Sequence, residues 1–190
     1  MSDQDDVVAG SLLVSSTTLV EPTFRRTVIY VVDHSPTGSL GLVLNRPSDT
    51  AVVDVLAGWA PLARRPQALF VGGPVSQESA LCLATVRVGA SAVGVTGLRV
   101  VQGRVVMVDL DADPEPLAAV VDGVRVFAGY TGWSPQQLDS EIARGDWLVV
   151  TSLPGDVLDP GRGDLWAQVL RRQPMPTALL ATHPLDVDRS

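Results

Sequence analysis

Apolar residues in this chain gather in short runs separated by clusters of Gly, Pro, Ser and Asp. That punctuation is the pattern of strands joined by turns rather than of long helices. The strongest run is Thr27 to Asp33, TVIYVVD, in which nearly every residue is β-branched or aromatic. Such a run predicts a strand covered on both faces. His34 to Ser39, HSPTGS, has turn chemistry throughout. Gly41 to Leu44 resumes as a strand, which predicts an antiparallel hairpin with a loop slightly longer than the shortest types. Pro47 stops it and biases Arg46 toward an extended backbone.

The same reading predicts strands over 10–15, 68–71, 81–88, 124–130 and 147–151, and a second hairpin from 98–101 and 104–109 turning at Gln102-Gly103. Helices are predicted over Thr50 to Gly58, with Val53, Leu56 and Ala57 on one face, and over Leu165 to Arg172. A third begins at Asp113 as N-cap with Pro114 in the first position, carries Leu117, Val120 and Val121 inward, and stops at Gly123. A fourth opens at Ser134-Pro135, with Gln137 closing a capping box and Trp133 and Leu138 spaced as a hydrophobic staple; Gly145 ends it. Many strands with few helices indicate an α+β domain, and the hairpins exclude a purely parallel sheet. The expected organisation is a flexible N-terminus over 1–9, a single α+β domain over 10–172, and a Pro-rich tail over 173–190 running across the surface.

Composition narrows the chemistry. The 190 residues, 46% of them hydrophobic, suit one well-filled domain. The formal net charge is -7, and every basic residue is Arg. Without lysine there is no P-loop lysine, no Schiff base and no Ser-Lys dyad. An acidic surface also argues against nucleic acid as partner, since phosphate neutralisation needs dense basic charge. Cys82 is alone, so an intrachain disulfide and a cysteine zinc site are excluded; its apolar run, LCLATV, predicts a buried, inert thiol. The acidic start, MSDQDD, is unlike a signal peptide, and no apolar run reaches the roughly 20 residues of a membrane helix. The expectation is a soluble, cytoplasmic protein with no membrane contact.

Several pieces taken together resemble the AlgH/YqgE family of small bacterial proteins. They are GSLLVS at 10–15, EPTFRRTVIYVVDH at 21–34, GSLGLVLNRP at 38–47, GGPV at 72–75, AGYTGWSPQQLDSEI at 128–142, the strand at Trp147, and DLWAQVL at 164–170. Order and spacing cover nearly the whole chain. The chain departs from the family pattern at Ser16-Thr17-Thr18, where Pro is usual, and at Ser39 and Asp139, where Ala and Glu are common. The resemblance implies a bent, bifurcated, mostly antiparallel sheet that curls into a partly open, barrel-like core with helices outside. Members are often labelled transcriptional regulators, and the resemblance supplies no catalytic residues.

Candidate chemistry sits at the two ends of the first hairpin. If Asp33 faces Gly41, Asn45 faces about Ile29 and Pro47 faces Thr27; at roughly 3.3 Å per residue, Asn45 then lies on the order of 13 Å from His34. One cluster of His34, Asn45 and Arg46 is therefore not expected. Arg46 instead approaches Arg25 and Arg26, and three guanidinium groups could hold a carboxylate or phosphate. The competing reading has Asn45 bonding local backbone and the arginines paired with carboxylates such as Asp49 or Asp54. Gly72-Gly73 follows a strand and could offer N–H groups to an anion, although a tight turn is the simpler reading. His34 is a minor candidate, either a general base or a loop cap. No metal site, cofactor motif or serine-triad signature is present, because two distant histidines and scattered carboxylates lack ligand spacing. The leading functional expectation is a non-enzymatic binding or regulatory module acting through a small anionic ligand or a protein partner. An anion-binding enzyme is the alternative, and a direct DNA-binding regulator ranks below it.

Overall fold

The computed structural model describes residues 6–159 and 163–184. Ten strands make one sheet: β1 (Ser11–Ser15), β2 (Val28–Ser35), β3 (Gly38–Val43), β4 (Pro47–Ala51), β5 (Ala68–Val71), β6 (Val75–Val86), β7 (Leu98–Gln102), β8 (Val105–Val108), β9 (Val121–Trp133) and β10 (Trp147–Thr151). Their order is β10-β1-β2-β3-β9-β6-β8-β7, with β5 branching from β9 and β4 beside it. Every pairing of the main path is antiparallel; β5 alone runs parallel to β9, with Phe70 opposite Phe127. The branch at β9 makes the sheet bifurcated. Curling brings its distant parts together, since a Cβ on Gly10, at the start of β1, would fall among the side-chain atoms of Gln102, at the end of β7. The α+β half-barrel expected of this sequence is therefore the fold.

Alternation along the strands distributes the core. Leu12 and Val14 of β1, with Val28, Tyr30 and Val32 of β2, face the main cluster, where α5 (Leu165–Arg171) supplies Trp166, Val169 and Leu170. Their neighbours Leu13, Ile29 and Val31 face a second cluster holding Trp133, Leu138 and Trp147. A third, around Cys82, Val106, Val124 and Trp59, lies under the remaining short helical turns. The opening hairpin is thus buried on both faces, as its composition predicts.

The hairpin itself is tighter than expected. β2 continues to Ser35 and β3 begins at Gly38, so only Pro36 and Thr37 lie between them. A bulge between Val31 and Asp33 sets Val31, rather than Asp33, opposite Gly41. Continued past Val43, this register carries Asn45 to the level of Thr27 rather than Ile29, and its side chain reaches Val28 N.

Two predicted helices shrink to single turns. Over 50–58 the chain forms the end of β4, then α1 (Val52–Val55), then a 3-10 segment over Ala57–Leu62. Three valines within four residues (Val52, Val53 and Val55) and the nearby Gly58 and Pro61 make a poor helix. The acidic segment does start as predicted, with Asp113 Oδ1 accepting from Glu115 N at 3.0 Å, but α2 stops at Leu117. Val121 is drawn into β9 opposite Val86 instead. β6 also starts earlier than its apolar run, because the exposed segment Ser76 to Ser79 is carried along as strand.

At α3 (Gln137–Arg144), Gln137 Oε1 accepts from Ser134 N at 3.0 Å, the reciprocal half of the expected box. Gln136 is left-handed at φ 67°, so the helix begins at Gln137 and not at Pro135. Gly145, at φ 89°, closes it as predicted. α4 (Gly155–Leu158) precedes α5 and carries the buried Asp156, whose carboxylate pairs with Arg172. Arg172, just past α5, thus ties that helix to α4.

The N-terminal stretch expected to be flexible and the tail expected on the surface are both partly packed against the domain. Val7 is buried in the cluster around Trp147, while residues 1–5 lie outside those described. Past Arg172 the chain forms a 3-10 segment, Thr177–Thr182, that packs on α5 and buries Ala181 in the main core. The 173–190 segment is therefore more than a surface tail as far as Pro184; residues 185–190 lie outside those described. None of the described helices is long and apolar enough to cross a membrane.

Candidate functional site

The arginine end of the first hairpin is assembled by Asn45. Its Oδ1 accepts from Val28 N at 3.1 Å and its Nδ2 donates to Arg26 O at 2.8 Å. One amide side chain thereby ties the end of β3 to the turn before β2. Asn45 bonds local backbone, as the simpler reading of the sequence had it. Arg26 occupies the left-handed region at φ 51°, an uncommon conformation for a residue with a Cβ.

The three guanidinium groups have different partners. Arg26 pairs with Asp164, donates from Nη1 to His183 O at 2.9 Å, and lies over the Trp166 ring at 4.1 Å. Its Nε is buried with no hydrogen-bond acceptor among the described residues. Arg46 donates to Arg25 O and to Asn45 O. Burial holds the Arg46 pKa below the usual arginine value, against an opposing pull from Asp164. Arg25 and Arg26 line a cleft of about 140 Å³ with Ser16, Leu19, Trp166 and His183. The carboxylate that pairs with Arg26 is Asp164, not Asp49 or Asp54. It lies 138 positions from Arg26 in sequence, beyond the reach of any local pattern.

Gly72 and Gly73 sit where the end of β5 meets β9. Gly72 N donates to Ala128 O at 2.9 Å, and its carbonyl accepts from Val43 N at 2.9 Å. A Cβ on Gly72 would lie 2.4 Å from Gly129 O, and one on Gly73 2.2 Å from the Tyr130 carbonyl. These glycines permit β5 to close against β9, and the Gly72 donor is already used.

His34 stands at the other end of the hairpin, apart from the arginines. Its Nδ1 is 2.7 Å from Ser39 Oγ, its cross-strand partner. Both line a cleft of about 350 Å³ whose other walls include Ser134, Gln136, Leu138 and Asp139. The structure therefore joins Arg25, Arg26, Asn45 and Arg46, and leaves His34 in a separate cleft.

Sequence reasoning did not single out Asp164, Trp166 and His183 as neighbours of the arginines. Their only early signal is the DLW run that opens α5. It also missed Arg125, which is 2% exposed. Its Nη atoms donate to the carbonyls of Arg64, Arg65, Pro66 and Leu158 at 2.8 to 3.2 Å, and it lies 4.2 Å from the Phe70 ring centre. Burial lowers its pKa to about 10, still well above neutrality. A lone arginine inside the apolar run Val124 to Phe127 was the available clue. Among the described residues no group of three or more His, Cys, Asp or Glu side chains is placed to hold a metal.

A curled, branched, mostly antiparallel sheet with α5 packed against one face defines a known class of α+β half-barrel. The AlgH-like family model matches residues 12–178, and the chain belongs to that family. A UPF0301 protein of Rhodococcus jostii is 67% identical over 189 residues, covering 100% of this chain and 94% of that protein. A UPF0301 protein of Mycolicibacterium smegmatis is 64% identical over 181 residues, covering 95% and 90%. Among solved structures, a crystal structure of a Corynebacterium diphtheriae protein superposes with a TM-score of 0.92 at 40% identity, covering 95% of each chain. The solution structure of AlgH from Pseudomonas aeruginosa gives a TM-score of 0.60 at 26% identity, covering 84% of this chain and 85% of that one.

Proposed function

We propose that this protein is a binding and regulatory module of the bacterial cytoplasm that takes a small carboxylate or phosphate ligand at its arginine end. One observation carries the reading. Arg26, strained in the left-handed region, walls a cleft while its buried Nε has no acceptor among the described residues. A buried donor without an acceptor costs on the order of 1–3 kcal/mol, which an anion bound in the cleft would offset. Trp166, Leu19 and Val20 give the cleft an apolar wall, suited to the body of an organic acid. Regulation would then follow from ligand occupancy, through a protein partner rather than DNA, because the net charge of -7 opposes phosphate-backbone contact.

Thermal unfolding in the presence of inorganic phosphate, citrate and benzoate tests this. At least one should raise the midpoint in a saturable, salt-sensitive way, and Arg25→Gln should abolish the shift. No shift with any of them, or an equal shift in Arg25→Gln, would sink the reading.

A further inference from the structure

The opposite end of the hairpin carries a different chemistry. His34 and Ser39 are directly paired across β2 and β3, so strand register keeps the two side chains within reach of each other, and Nδ1 lies 2.7 Å from Oγ. A nucleophile within hydrogen-bond reach of a base is the basic arrangement of covalent catalysis. Both side chains line the cleft of about 350 Å³, a volume in the range of small-ligand sites. Gly38 supports the arrangement from below: at φ 135° a Cβ there would lie 2.6 Å from Trp133 O. At the rim, Gln136 is held left-handed at φ 67°, and non-glycine residues in that region cluster at functional sites. Its side chain adds an amide, a donor type that stabilises oxyanions. The exposed Pro36 at the cleft wall adds an apolar contact.

From this geometry we infer that Ser39 is a nucleophile activated by His34, and that the cleft accepts small activated acyl esters or thioesters. The Ser39 Oγ–H proton passes to His34 Nδ1 as Oγ bonds to the acyl carbon. The bond from that carbon to the leaving oxygen or sulfur then breaks, and the leaving group takes the proton from the imidazolium. Water attacks the acyl-serine with His34 again as base, releasing the acid and restoring Ser39. The net change is ester plus water to acid plus alcohol or thiol. The inference does not depend on the arginine end. It concerns this chain in particular, since Ser39 departs from the family pattern given above.

The full chain should be incubated with p-nitrophenyl acetate and, separately, with a fluorophosphonate, and the adducts mapped by peptide mass spectrometry. Ser39 should carry the adduct. Labelling should be absent in Ser39→Ala and roughly a hundredfold slower in His34→Gln, the scale of a lost general base. Asp54→Asn, an exposed position on α1 outside the cleft lining, should keep the labelling at Ser39. Circular dichroism on each variant separates loss of reactivity from loss of structure. An unlabelled Ser39, a rate in folded His34→Gln equal to the parent, or equal labelling of Ser35 and Ser134 would each overturn the inference.

Discussion

Asn45 shows how much one side chain can decide. Its amide satisfies a donor at Val28 and an acceptor at Arg26 in a region where both backbones are withdrawn from water. Asn45→Ala leaves both backbone groups without that partner, so we expect a loss of about 2–6 kcal/mol in urea unfolding, from roughly 1–3 kcal/mol for each unsatisfied group. Asn45→Asp keeps the acceptor and loses the donor, and should fall between the parent and Ala. Equal stability of the Ala variant would mean that Arg26 does not need this bond to hold its left-handed backbone. Arg125 is the contrasting case. Its charge is balanced by carbonyl dipoles and an aromatic face instead of a contacting carboxylate, and nothing in the residues around it in sequence announces those partners. The sequence identified Asn45 because it ends a strand in an Asn-Arg-Pro run. It could not identify the carbonyls that Arg125 gathers, because these come from the 64–66 loop and from the end of α4.

At the scale of elements, α5 and the turn before β2 are joined by Asp164, which has two roles. Oδ1 accepts from Ala167 N at 3.2 Å as the helix N-cap, and the same carboxylate pairs with Arg26. Substitution separates them. Asp164→Asn retains a capping oxygen and removes the charge; Asp164→Ala removes both. The Ala variant should be less stable than Asn by about 1 kcal/mol, the usual worth of a cap. In the Asn variant the Arg26 guanidinium loses its counter-charge, so the cleft becomes more positive and an anion should stabilise it more than the parent. A thermal-shift series with phosphate reads both effects, and identical anion response in the two proteins would contradict the second. What the sequence announced at this scale was governed by local chemistry. Caps and glycine stops were visible at Asp113, Gln137 and Gly145. Helix length was not, because the choice between helix and strand at Val121 is made by Val86 across the sheet, a partner no local window contains.

For the whole molecule, β9 is the organising strand. It pairs with β3 through Thr131–Trp133, with β6 over most of its length, and with β5 at Phe127 and Ala128. Only the whole sheet explains why Gly72, Gly73 and Gly129 are needed where three strands converge, whereas in sequence the first two read as a turn and Gly129 as part of a strand. The curl also gives the segment after Arg172 a structural role. Ala181 and the neighbouring Leu180 cover the inner core beside α5, and Arg26 bonds His183 O. Removing residues 173–190 therefore exposes the apolar side of α5 and strips one partner from the arginine end. We expect the truncated protein to unfold at lower urea with a smaller m-value, since less surface is buried in its folded state. Native-state hydrogen exchange should show where the loss is felt. Amides of β9 near Val126 and Phe127, paired on both sides, should exchange only through global unfolding in both proteins. Amides of α5, protected in the full chain, should exchange through local opening once the cover is gone. If truncation left both the m-value and α5 protection unchanged, the segment would be a passive tail after all. If β9 lost protection as readily as α5, the sheet and its cover would be a single cooperative unit rather than a frame with a clasp.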